Sequence, residues 1–182
     1  MIDAIYSITL TPSVAVSRCI GRKPRVRILP VTLRAIHEDE AMDDVQSKRM
    51  ILEFLRKHSL AVIATSHRNG TPEAAAIDFS VRDNLEIVFD TFEHTRKFIN
   101  LSERSSVALV VGWDDSISVQ YEGDAMKVSA SDIAGYQEAH LKSVPVEREF
   151  VEKGAVIFRV SPRWIRYSDF TREPPEVIEV HF

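Results

Sequence analysis

Between residues 60 and 170 the apolar residues fall into six short runs, each closed by turn-forming residues, and this pattern constrains the fold most. The runs are "LAVIATS" (60–66), "EAAAIDFSVR" (73–82), "LEIVFDT" (85–91), "SVALVVGWD" (106–114), "SISVQYEGDAMKVS" (116–129) and "AVIFRVSPRWIRYSDF" (155–170). Asn69-Gly70 separates the first two, and Asn-Gly between apolar runs is the strongest short hairpin signal. The fifth run alternates around Val119, Tyr121 and Gly123, with Gly123 placed to form a bulge. Long helices do not alternate with these runs, which argues against a doubly wound parallel sheet. The expectation is a mainly β fold with peripheral helices: six antiparallel strands closed into a small barrel, which leaves no free edge.

Three segments read as helices. "DDVQSKRMILEFLRKHS" (43–59) places Val45, Met50 or Ile51, Phe54 and Leu55 on one side and bases on the other. A second helix begins near Thr95, and a third, in "ASDIAGYQEAHLKSV" (130–144), is capped by Ser131 and ends before Pro145. The five apolar positions 107–111 suggest a strand buried on both faces, one of which meets a partner subunit.

Composition narrows the function classes. With 45% hydrophobic and 27% charged residues the 182-residue chain is an ordinary globular protein, and its net charge of −4 gives no bulk attraction to nucleic acid or an anionic membrane. No apolar run approaches the roughly 20 residues of a membrane span. A single cysteine, Cys19, fits a reducing compartment, so a cytoplasmic location is expected. Residues 1–41 differ from the rest, with six bases up to Arg34 against Asp3. They read as an irregular, disordered basic extension, and residues 42–182 as the folded domain, with Met42 as an internal start.

The survey for chemistry excludes more than it finds. Six scattered glycines form neither a dinucleotide fingerprint nor a P-loop, and six histidines show no metal-ligand spacing, so no metal site is expected. No nucleophile-elbow motif is present, although sequence leaves a Ser/His/Asp arrangement open. One feature stands out in "FDTFEHTRKFINL" (89–101). Arg96 and Lys97 occupy the first turn of a helix, where the positive end of the macrodipole favours acids. A lone pair of bases is ordinarily a solvated helix face. Here the pair follows a strand directly and is preceded by Thr91 and Thr95, and helix N–H groups, two cations and hydroxyls together make a phosphate seat.

The order "NG-TPEAAAIDF … VFDT … TRKFINL … SVALVV … SVQYEGDA … FRVSPRWIRY" resembles the pyridoxamine 5′-phosphate oxidase-like family over roughly residues 45–170. The resemblance implies a split β-barrel of Greek-key type that binds flavin mononucleotide (FMN) as a homodimer. It implies that Thr91, Thr95, Arg96 and Lys97 hold the flavin phosphate. Ala76, Ile77, Asp78 and Phe79 would lie along the isoalloxazine ring, and Gln120 would reach the cofactor region from a neighbouring strand. Tyr121, Trp164, Arg166 and Tyr167 either line the substrate opening or serve core and dimer packing. Ala75 and Ser80 stand where oxidases of pyridoxamine phosphate carry arginine and lysine, and "TREPPEVIEVHF" lacks their Arg-x-His motif. The implied function is therefore a flavin-dependent oxidoreductase acting on another small molecule. The alternative is a non-catalytic binder of flavin, deazaflavin or haem.

Overall fold

The computed structural model describes residues 43–182; the reading of residues 1–41 as an extension lies outside them. Helix α1 spans Asp44–Leu55, followed by strands β1 (Leu60–Ser66), β2 (Pro72–Asp78), β3 (Ser80–Val81) and β4 (Ile87–Thr91). Helix α2 (Arg96–Glu103) leads into β5 (Ser106–Val111) and β6 (Ile117–Lys127). Helix α3 (Ile133–Ser143), a 3₁₀ turn (Pro145–Glu147) and the short α4 (Arg148–Glu152) precede β7 (Val156–Asp169) and β8 (Glu176–His181).

All pairings are antiparallel, in the order β2-β1-β5-β6-β7-β4-β3, with β8 also on β7. The two ends of that order, β2 and β3, are separated in the chain by Phe79 alone. Three consecutive residues span at most about 7 Å, so the sheet must curl until its ends meet. Phe79 sits at this junction, 1% exposed, with its N–H donating to Ser59 O at 2.8 Å. β2 and β3 do not pair, so the sheet is a curled half-barrel and the expected closure without a free edge is not met; one side stitched by a chain crossing is the split barrel that the family resemblance implied.

The six expected runs are all strands, with two additions. The second run breaks at Phe79 into β2 and β3, and the C-terminal tail forms β8. The β1–β2 turn is the expected hairpin, with Gly70 at φ +90. The β6–β7 register shifts between Glu122 and Gly123, which face Trp164 and Pro162 and leave Arg163 as the extra residue. Pro162 is tolerated because β4 has left β7 at Val160 and β8 joins only at Trp164, so its missing donor breaks no ladder there.

In α1 the row that meets the sheet is Ser47, Ile51 and Leu55. Val45, expected on that face, is 70% exposed: two residues from Ser47, it points about 200° away around the helix. Asp132, not Ser131, occupies the position before α3, with Ser129 Oγ donating to its Oδ2 at 2.7 Å. The expectation for residues 107–111 also needs correction within one chain. Val107, Leu109 and Val111 enter the core, while Ala108 and Val110 face outward and are exposed.

Candidate functional site

Strand β4 delivers the chain to Thr91, and three residues of turn bring it to Thr95, the N-cap of α2. Thr95 Oγ1 donates to Phe92 O at 2.9 Å, accepts from Phe98 N at 3.3 Å and lies 2.8 Å from the buried Thr91 Oγ1. The N–H groups of Arg96 and Lys97, the first two of the helix, have no acceptor among the described residues. Two orphaned donors, two cations and a hydroxyl pair therefore converge. Thr95, Arg96 and Lys97 line a cleft of about 180 Å³ with Thr65, Glu73, Ala74 and Ala75, and Thr91 supports Thr95 from the buried side.

The opposite wall of this cleft is β2. Its register sets Glu73 beside Thr65 of β1. Glu73 Oε1 accepts from Arg96 Nη1 at 3.2 Å, and Glu73 Oε2 from Asn100 Nδ2 at 3.0 Å. Asn100 also donates to Thr65 Oγ1 at 2.9 Å; both of those residues are buried. Arg96 thus has a carboxylate partner that the sequence reading did not foresee. Asn100, four residues after Arg96 on the same helix face, was the available signal.

Lys97, half-buried, lines the same cleft and also senses Asp90. Burial lowers its pKa, and the nearby Asp90 carboxylate opposes that shift. Asp90 belongs to a buried acidic group with Asp78 and Glu147. Burial, with Asp90 and Asp78 beside it, pushes the Glu147 carboxyl up to about 7, and Asp90 is raised by burial as well. His140, fully buried, lies with Nε2 3.8 Å from Asp90 Oδ2 and Nδ1 2.9 Å from Ser80 Oγ. A Ser/His/Asp series thus exists in space. Burial holds the imidazole down at about 4, and so weak a base takes a hydroxyl proton poorly at neutral pH. The Ser80–His140 bond ties β3 to α3, while His140 Nε2 and Asp90 Oδ2 make no hydrogen bond among the described residues, so the series does not prepare Ser80 for attack.

The remaining expected residues separate. Ile77 and Phe79 point into the core, Ala76 is exposed on the outer face of β2, and Asp78 joins the acidic group. Gln120 is exposed on β6, opposite Val110 and Arg166. Three strand spacings lie between it and β2, about 14 Å, so it is not part of the cleft within one chain. Tyr121 and Tyr167 line no opening. Tyr121 is a core residue whose hydroxyl donates to Leu85 O at 3.0 Å and Val160 O at 2.8 Å, and Tyr167 packs edge-on against Phe54. Trp164 and Arg166 instead meet Glu179 of β8. Among the described residues no three His, Cys, Asp or Glu side chains are placed to hold a metal ion.

A larger cavity of about 1050 Å³ opens between the end of α1, the β3–β4 turn and α3, and includes none of the residues at the start of α2. Of its cations, Arg56, Lys57 and Lys142 sit at the C-terminal ends of α1 and α3, where the macrodipole itself favours positive charge, and Arg82 is held by Glu86 and the Tyr136 ring. The orphaned N–H groups occur at the smaller cleft. The family described as pyridoxamine 5′-phosphate oxidase matches residues 47–169. The chain belongs to this family. No curated protein matches the sequence significantly.

Solved structures share the fold at low identity. A haem binding protein from Mycobacterium smegmatis superposes with a TM-score of 0.65 at 14% identity, over 74% of this chain and 57% of that one. The chain thus spans little more than half of that protein. General Stress Protein 26 from Bacillus anthracis gives 0.55 at 18% identity, over 73% and 98%. A pyridoxamine 5′-phosphate oxidase-related, FMN binding protein from Nostoc punctiforme gives 0.51 at 15%, over 76% and 92%. Such likenesses establish the architecture. No helix of the described residues is long and apolar enough to cross a membrane.

Proposed function

We propose that the protein binds FMN with its phosphate at the start of α2, works as a homodimer, and serves as a flavin-dependent oxidoreductase for a small molecule. The observation that carries this reading is the pair of unpaired N–H groups of Arg96 and Lys97, framed by their own cations and by Thr91 and Thr95. A cleft of about 180 Å³ is smaller than the roughly 300–1,000 Å³ of a whole small-molecule site, so it suits the phosphate end alone. Beside it, β2 pairs only with β1 and leaves one edge of backbone donors and acceptors open among the described residues. A bound flavin supplies the electron transfer itself. The chain supplies the seat, the strand edge and, from a second subunit, the exposed Gln120.

The test is a pair of titrations. Arg96 carries a guanidinium able to make charge-assisted bonds worth roughly 1.5–3 kcal/mol each. Arg96→Ala is expected to weaken FMN binding by about 10- to 150-fold, while riboflavin, which lacks the phosphate, loses much less. Equal losses for both ligands would assign Arg96 to the fold or the ring. No loss for either would leave it a solvated cation paired with Glu73. The visible spectrum of the purified protein separates flavin, deazaflavin and haem by their bands. Reduction by a nicotinamide nucleotide followed by reoxidation in air separates an enzyme from a binder.

A further inference from the structure

The first turn of α2 contains no acidic residue, yet an anion is already in place there. It comes from β2. Both Glu73 carboxylate oxygens are engaged, one by Arg96 and one by Asn100, and Asn100 is locked by its second bond to Thr65. The two partners of the ion pair are unequal in freedom: the Arg96 side chain is 75% exposed and that of Glu73 17%. The carboxylate is the fixed member and the guanidinium the one free to move.

We infer that Glu73 is the specificity-determining residue of this seat, a resident carboxylate that competes with a ligand's phosphate for Arg96. The inference rests on the reading of the cleft as a phosphate site. A phosphate monoester arriving with a charge of about −1.5 to −2 must share the guanidinium with a carboxylate that already occupies part of it. Arg96 has donors enough for both, but the two anions repel across a partly dehydrated cleft. Lys97, the second cation of the cleft, also interacts with the Asp90 carboxylate, so its charge is shared as well. The seat therefore ranks ligands by charge. A ligand ending in a neutral group loses nothing to Glu73, and a dianionic one loses most.

Glu73→Gln removes the charge while keeping the length of the side chain and an oxygen for Arg96 or Asn100. FMN and riboflavin are titrated by fluorescence into the wild-type protein, the Gln variant and Glu73→Ala, with thermal melting to confirm that each is folded. FMN is expected to bind at least about tenfold more tightly to both variants, with riboflavin unchanged to within about twofold. If the wild type prefers FMN over riboflavin and the variants hold FMN no better, Glu73 is only a cap on α2, and the inference fails while the phosphate site stands. If FMN binds neither the wild type nor the variants, the phosphate site and the inference fall together. Should Glu73→Ala not fold, the Gln variant decides alone.

Discussion

Glu147 and His140 respond to pH in opposite senses because burial disfavours the charged form of each. The Glu147 carboxyl rises from an ordinary 4.5 to about 7, so the native state keeps this proton after the unfolded chain has lost it. Its contribution to stability therefore falls as pH rises from about 4.5 to 7 and is flat above. His140 drops from 6.5 to about 4, so its contribution falls as pH is lowered through that window. The two oppose one another over most of the acid range, and only Glu147 acts between 6.5 and 7. Glu147→Gln fixes the neutral form against Asp90, Asp78, His140 and Lys97. Its melting temperature relative to wild type should rise between pH 5 and pH 8, by roughly 3 °C or more. An equal difference at both pH values would show that Glu147 holds no buried proton. None of this group was legible in the sequence, because its members come from β2, β4, α3 and the 3₁₀ turn and meet only in three dimensions. Thr91, Thr95, Arg96 and Lys97 were legible because seven consecutive residues of one strand-to-helix turn carry them all. Glu73 was not, since its role depends on a hairpin register that pairs it with Thr65.

Strands were readable wherever one face alone is buried. β6 alternates, and the structure buries its expected set of Val119, Tyr121 and Gly123, whereas β5, five apolar residues in a row, reads as buried on both faces although only Val107, Leu109 and Val111 enter the core. β8 offers almost no period to read, because only Val180 of its six residues is buried. A glycine inside an alternating run marks the place of the irregularity, but the extra residue is Arg163 of β7, opposite Gly123, and the geometry explains the need for glycine. A Cβ there would stand 2.3 Å from Ser161 O and 2.9 Å from Val160 Cγ1. The first of these is backbone and cannot swing aside. Gly123→Ala should cost about 2–3 kcal/mol and lower the melting temperature by roughly 5–10 °C. Gly135, in α3 with no atom within 4 Å of its would-be Cβ, is the contrasting site. Its replacement by alanine should stabilise by about 0.5–1 kcal/mol, because a helix interior gains from the lost backbone freedom. Thermal melting of the two variants side by side checks both signs. A tolerated Gly123→Ala would mean that the β6–β7 register slips at little cost.

Among the described residues an apolar sheet face is left uncovered. By register Ala64 lies opposite Ala74 and Ala108, and Val62 opposite Ala76 and Val110, so six small apolar side chains share the outer face of β2, β1 and β5. Four of them, Ala74, Ala76, Ala108 and Val110, are exposed. Gln120 and Glu122 follow opposite Val110 and Ala108 and form a polar border. A flat face of small residues with a polar rim suits a twofold contact, in which the same patch meets itself. It would also bring Gln120 of one subunit toward the other, which no arrangement within a single chain achieves. The proposed homodimer is thus expected by light scattering at micromolar concentration, with about twice the 20.7 kDa mass of one chain. Val110→Glu places a carboxylate near the axis twice over and should shift the protein to monomer. If the flavin site draws on both subunits, FMN binding weakens with it. Dissociation without loss of FMN would confine the site to one subunit and leave Gln120 outside it. A wild-type monomer that still binds FMN would remove both the dimer and the shared site.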